Sequence, residues 1–142
     1  MSSTNSRYSN LVFDCGGARL RTQSRRLSTV VAVSGELDAD NIDRVAAYAA
    51  KFAASATSMV LDLSGVTSVD RCTIALLDSF DDVCARAGVP WMLVTSHAVV
   101  RMLADDCDVY PIVASVPDAL DYFLVERLRR RSLLLPLLTR SA

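Results

Sequence analysis

Residues 59–80 read MVLDLSGVTSVDRCTIALLDSF, and the rest of the chain is organised around them. Met59, Val60 and Leu61 form an apolar run that continues through Asp62 to Leu63. Such a run has the length of a buried strand. Ser64, Gly65, Thr67, Ser68 and Asp70 then predict a short polar loop. Ile74, Leu77, Phe80 and Cys84 recur at three- and four-residue steps, the spacing of an amphipathic helix starting near Arg71.

A strand, a tight loop and a helix start have a physical consequence. The first amides of a helix lack intrahelical partners, and the peptide dipoles leave partial positive charge there. A hydroxyl or anion beside Arg71, Cys72 and Thr73 would meet a prepared anion site. The plainer alternative is that Asp70 or Ser68 caps the helix.

The wording of two segments goes further. Leu61 through Asp70, LDLSGVTSVD, closely resembles the signature of STAS domains. Val31 through Asp38, VAVSGELD, resembles the earlier motif of the same family. The two stand in the right order and at the right separation, and the resemblance covers about Ala18 to Leu128. It implies a small mixed sheet packed with helices, and a non-enzymatic regulatory role like that of bacterial anti-sigma-factor antagonists. The implied partner is an anti-sigma factor or a related kinase-like protein. In switchable antagonists two serines and a glycine would follow Asp70, and the second serine accepts phosphate. Here Arg71, Cys72 and Thr73 follow, so Cys72 stands at the acceptor position. The resemblance therefore implies binding without serine-phosphate control at that site. It also places Asp38 beside the acceptor, and leaves a second role open: a scaffold or subunit of a stressosome-like or lipid-transport assembly.

Composition agrees with one ordinary domain. At 142 residues, 51% hydrophobic, the chain can bury roughly 68–70% of its unfolded surface, enough for a core without staples. No stretch approaches the ~20 apolar residues of a membrane span. The opening MSSTNSRYSN lacks a signal-peptide core, so a cytoplasmic location is expected. Cys15, Cys72, Cys84 and Cys107 show no metal-ligand spacing, and His97 is the single histidine. No metal or other cofactor is expected, and neither a GxxxxGK[ST] nor a GxGxxG loop is present. Glu36 to Asp121 holds 14 acidic and 5 basic residues; the two ends together hold 2 acidic and 10 basic. An acidic body excludes ordinary nucleic-acid binding.

Around the central stretch the pattern alternates. Residues 1–10 are polar and expected to be mobile. Leu11 to Phe13 is short and compatible with an extra edge strand. Ala18–Arg21 and Leu27–Ser34 predict an antiparallel pair turning near Gln23–Arg26. Asp38 or Asp40 is the expected cap of a helix carrying Ile42, Val45, Ala49 and Ala53. Gly88 should end the helix after Cys72. Val89–Thr95 predicts a strand, Ser96 caps a short helix to about Asp106, and Tyr110–Val113 predicts an edge strand. Ser115, Pro117 and Asp118 mark a last helix start. Together these predict an α/β fold: a small, mainly parallel mixed sheet with about four helices. The domain is expected over residues 11–128, with a basic, leucine-rich tail over 129–142. That tail folds back on the domain, contacts a partner or second copy, or lies on a membrane surface; Pro136 argues against the last.

Loops at the carboxyl ends of parallel strands gather at one edge. Three such loops are expected here, carrying Ser34, Glu36 and Asp38; Ser64, Thr67, Ser68, Asp70, Arg71, Cys72 and Thr73; and Thr95, Ser96 and His97. The candidate partner-binding residues are Asp38, Ser68, Asp70, Arg71, Cys72, Thr73 and His97. Thr73 is the alternative phosphate acceptor, and Arg71 is expected to pair with Asp70 or Asp38 in solvent. A Cys72/His97 nucleophile pair, with the thiol activated by Arg71 and the helix terminus, is the enzymatic or redox alternative. No catalytic residue is assigned, because nothing in the sequence orients His97 or supplies a shaped pocket.

Overall fold

The computed structural model describes residues 11–140, with side chains for 12–132. The reading of residues 1–10, and of where the tail leucines pack, lies outside the described residues. The described chain forms six strands and four helices: β1 Leu11–Cys15, β2 Ala18–Arg25, β3 Ser28–Leu37, α1 Ile42–Ala50, β4 Ser58–Val69, α2 Thr73–Ala87, β5 Trp91–Val94, α3 His97–Leu103, β6 Ile112–Val113 and α4 Val116–Arg140.

The strands lie in the sheet in chain order. β1, β2 and β3 pair antiparallel; β3 to β6 pair parallel. The mixed, mainly parallel sheet expected from the sequence is the one observed. Each crossover steps the same way across the sheet, so right-handed connections place α1, α2 and α3 on one face. The larger core forms there: Val31, Val33, Met59, Leu61, Leu63 and Leu93 meet Val45, Leu76, Leu77, Phe80 and Leu103. Phe80 is 1% exposed and meets Trp91 edge to face at 5.0 Å. The opposite face is covered by α4, whose Ala119, Leu120 and Phe123 pack on Val30, Val60 and Val94.

Several boundaries differ from the sequence reading. β2 runs to Arg25, and the hairpin turns on Arg26 and Leu27, both with positive φ (49° and 71°). Arg25 pairs with Ser28, so two residues must close the turn, and a two-residue closure that matches strand twist needs φ above zero. No asparagine or glycine announces it. β4 continues to Val69, so the expected polar loop is strand. Ser34 to Leu37 of β3 pair alongside it, with two irregularities in the register. Gly88 ends α2 with φ of 70°, and the Ser96 hydroxyl accepts from the Val99 amide at 3.2 Å, both as expected. α4 continues through Pro136 to Arg140, so the proline does not end the helix.

Candidate functional site

The long β4 and β3 create a projecting edge. After its last pairing with β5 at Asp62, β4 runs on from Leu63 to Val69 with β3 as its neighbour. The Asp70 amide donates to the Leu37 carbonyl at 3.1 Å, so the two chains leave the sheet side by side. That contact brings the Asp38 loop against the β4–α2 turn. β5 stops well short, and α3 starts at His97 immediately after it. The three expected loops therefore do not converge: the first two meet, and Thr95, Ser96 and His97 lie further back along β4. Among the described residues no hydrogen bond joins His97 to Cys72.

The Asp38 loop is built by an exchange between two side chains. Asp38 Oδ1 accepts from the amides of Asp40 at 3.0 Å and Asn41 at 3.1 Å. Asn41 Oδ1 accepts from the Asp38 amide at 3.1 Å. This is the reciprocal logic of a capping box, one turn ahead of α1. Asn41 Nδ2 donates to the carbonyls of Gly16 at 3.0 Å and Glu36 at 2.9 Å, tying the β1–β2 hairpin to the same loop. Asn41 is fully buried. It is the positioning residue the sequence reading missed, and the signal was present: an asparagine three residues after Asp38.

The β4–α2 turn is closed tightly. The amides of Thr73, Ile74 and Ala75 donate to the carbonyls of Asp70, Arg71 and Cys72 at 3.0, 3.1 and 3.0 Å. The amides of Thr73, Ile74 and Ala75 are thus already used within the turn. Neither Asp70 nor Ser68 caps α2: Cys72 holds the cap position without a side-chain bond. Ser68, Asp70 and Arg71 are exposed, while Asp38 and Cys72 are half-buried. Cys72 packs its inner side on the main core. Among the described residues Arg71 has no carboxylate within ion-pair distance, so the expected pairing with Asp70 or Asp38 is absent.

Two chemical expectations are corrected by this geometry. The Cys72 thiol is pushed up, first by burial, then by the charge of Asp70 and, more weakly, of Asp38 and Asp43. The lowering expected from Arg71 is not among the contributions, and the one that lowers, a hydrogen bond from the Cys72 amide, is outweighed. That direction is the opposite of what activates a nucleophilic cysteine. Thr73 is fully buried, and its hydroxyl has no hydrogen-bond partner. A kinase could reach it only if the first turn of α2 opened, so Thr73 is not a ready alternative acceptor.

The remaining hydroxyls line the sides. Thr67 donates to the Gly35 carbonyl at 3.2 Å, and Ser34 and Ser64 lie beside a shallow cleft of about 240 Å³ with Arg19, Arg21 and Asp62. Among the described residues no three His, Cys, Asp or Glu gather as metal ligands. Nor is any described helix long and apolar enough to cross a membrane.

Comparison with known proteins matches this architecture. Residues 19–122 match the STAS domain model. Over 146 aligned residues the chain is 39% identical to osmosensory protein A of Mycobacterium tuberculosis, covering 99% of this chain and 92% of that protein. Among solved structures, the anti-sigma factor antagonist SpoIIAA in its unphosphorylated form superposes with a TM-score of 0.62 at 14% identity, over 73% of this chain and 95% of that one. An anti-sigma factor antagonist from Mycobacterium paratuberculosis superposes with a TM-score of 0.62 at 18% identity, over 74% and 92%. At those identities the structures speak for the fold, and the match of the family model over most of the chain decides membership. The chain belongs to the STAS family.

Proposed function

We propose that this protein is a non-enzymatic binding module that docks an anti-sigma factor or a related kinase-like protein through the Asp38 loop and the β4–α2 turn. The observation that carries the reading is the projecting edge itself. Two backbone segments joined by the Asp70–Leu37 hydrogen bond carry Asp38, Ser68, Asp70, Arg71 and Cys72, all of them exposed or half-buried. A partly polar edge that includes the half-buried Cys72 suits protein docking. The upward shift of the Cys72 thiol, from burial first and then from Asp70, speaks against nucleophilic chemistry there. The resemblance of the fold to anti-sigma factor antagonists supplies the class of partner.

Because Cys72 cannot be phosphorylated by a serine kinase and Thr73 is buried, the module binds constitutively. The test is titration calorimetry against purified anti-sigma factors from the same organism. Cys72→Asp places a charge among Asp38, Asp43 and Asp70 at the first position ahead of α2. It should weaken binding at least tenfold, about 1.4 kcal/mol. Cys72→Ser should bind like wild type. Equal binding by Cys72→Asp overturns the docking surface. Stoichiometric phosphate on residues 71–73 after incubation with kinase and ATP, read by mass spectrometry, overturns constitutive binding.

A further inference from the structure

A cleft of about 280 Å³ opens at the amino end of β4, the opposite end of that strand from the projecting edge. Pro90, Tyr122 and the buried Phe123 give it an apolar wall. Arg127 and Arg130, further along α4, line it too. Among the described residues neither guanidinium has an ion-pair partner, and as like charges three residues apart they repel each other. Glu126 is the one carboxylate in the lining, and it is drawn to Arg129, at 3.5 Å. The charge left in the cleft is therefore positive.

Ser58 lines the same cleft. It is 2% exposed, and its hydroxyl is hydrogen-bonded to that of Ser28 at 2.5 Å. Two hydroxyls carry two protons, and the bond between them uses one. Among the described residues neither hydroxyl has a further partner, so one O–H donor is left over where burial makes an unmade bond costly. Ser28 does not line the cleft. The left-over proton meets an acceptor in the cleft when Ser28 donates to Ser58 and Ser58 donates outward.

We propose that this cleft binds a small organic oxyanion, a carboxylate or phosphate ester carried on a flat apolar body. The head group takes the two guanidiniums and the Ser58 proton, and the body lies along Pro90, Tyr122 and Phe123. Guanidinium forks suit the paired oxygens of either head group. An inorganic ion would leave the apolar wall in water, and a neutral aromatic would leave the guanidiniums and the hydroxyl unanswered. The volume agrees with a small ligand, since it lies close to the lower limit of ligand pockets, about 300 Å³.

Titration calorimetry of the full-length protein with 1-naphthyl phosphate and with 1-naphthoate tests this. The tighter of the two assigns the head group, and equal affinities assign the site to both. Inorganic phosphate and 1-naphthol each carry one half of such a ligand, and each should bind roughly tenfold more weakly or worse. Arg127→Glu with Arg130→Glu should weaken both aromatic anions by roughly tenfold or more, with an unchanged circular dichroism spectrum. Ser58→Ala should weaken them several-fold, whereas Ser28→Ala, which leaves the Ser58 hydroxyl in place, should keep the wild-type affinity. Three results would each overturn the proposal: no saturable binding of either aromatic anion, affinity untouched by the paired arginine changes, or inorganic phosphate or 1-naphthol binding as tightly as the aromatic anions.

Discussion

Removing the side chain of Asn41 should cost the protein a large share of its stability and loosen the edge that presents Asp38. Three bonds are lost: one accepted from the Asp38 amide at 3.1 Å, and two donated, to Gly16 at 3.0 Å and Glu36 at 2.9 Å. Leaving a buried backbone group unpaired costs about 1–3 kcal/mol. Gly16 and Glu36 are themselves exposed residues, so water can reach their carbonyls once the amide is gone. That favours the low end, about 1 kcal/mol for each group and about 3 kcal/mol in all. For a chain of this size the melting temperature should fall by roughly 6–12 °C. Asn41→Asp sharpens the test. It keeps an oxygen to accept from Asp38, but turns a carboxylate oxygen toward two carbonyls, so it should be at least as damaging as Asn41→Ala. Urea unfolding followed by circular dichroism, with thermal melts alongside, measures both. A loss under about 1 kcal/mol for Asn41→Ala, or a well-tolerated Asn41→Asp, would refute the claim that these bonds carry the loop.

Gly35→Ala tests the neighbouring crossing of strands. A Cβ there would lie 2.3 Å from the Gly17 carbonyl oxygen, at a φ of +97°. Strain and overpacking together should cost about 3 kcal/mol in the same unfolding assay, and a neutral substitution would show that the hairpin is not held this close. Tyr110 tests an electrostatic contact on the far side. Its hydroxyl donates to Asp78 at 2.7 Å, and burial, that hydrogen bond and the nearby carboxylates push its pKa up to about 12. The folded state prefers the neutral phenol, so its stabilising contribution is whole below about 10 and is lost as pH rises through about 12. The difference in tyrosinate absorbance between wild type and Tyr110→Phe should therefore titrate near 12, and wild type should lose stability faster than the variant above pH 10. A difference titration centred at the ordinary value of 10 would remove the Asp78 contact from the account.

How far the sequence could be read followed from which physical signals stayed regular. The alternation of strand and helix, the Gly88 stop and the Ser96 cap each rest on local chemistry, and each appears in the structure. The end of β4 does not. In a regular strand inward residues recur every second position. The register against β3 slips twice, giving β4 extra residues between Asp62 and Gly65 and between Val66 and Ser68. Leu63, Val66 and Val69 therefore point inward at three-residue steps, and a period-two reading ends at Leu63. Ser64, Gly65, Thr67 and Ser68 then resemble a loop by composition alone. The same extension explains the misplaced His97, since strand ends gather only where strands have equal reach. Thr73 failed for another reason: sequence places it in the first turn of α2, but not on the side that faces the core. Asn41 was legible in principle, as the partner three residues after Asp38.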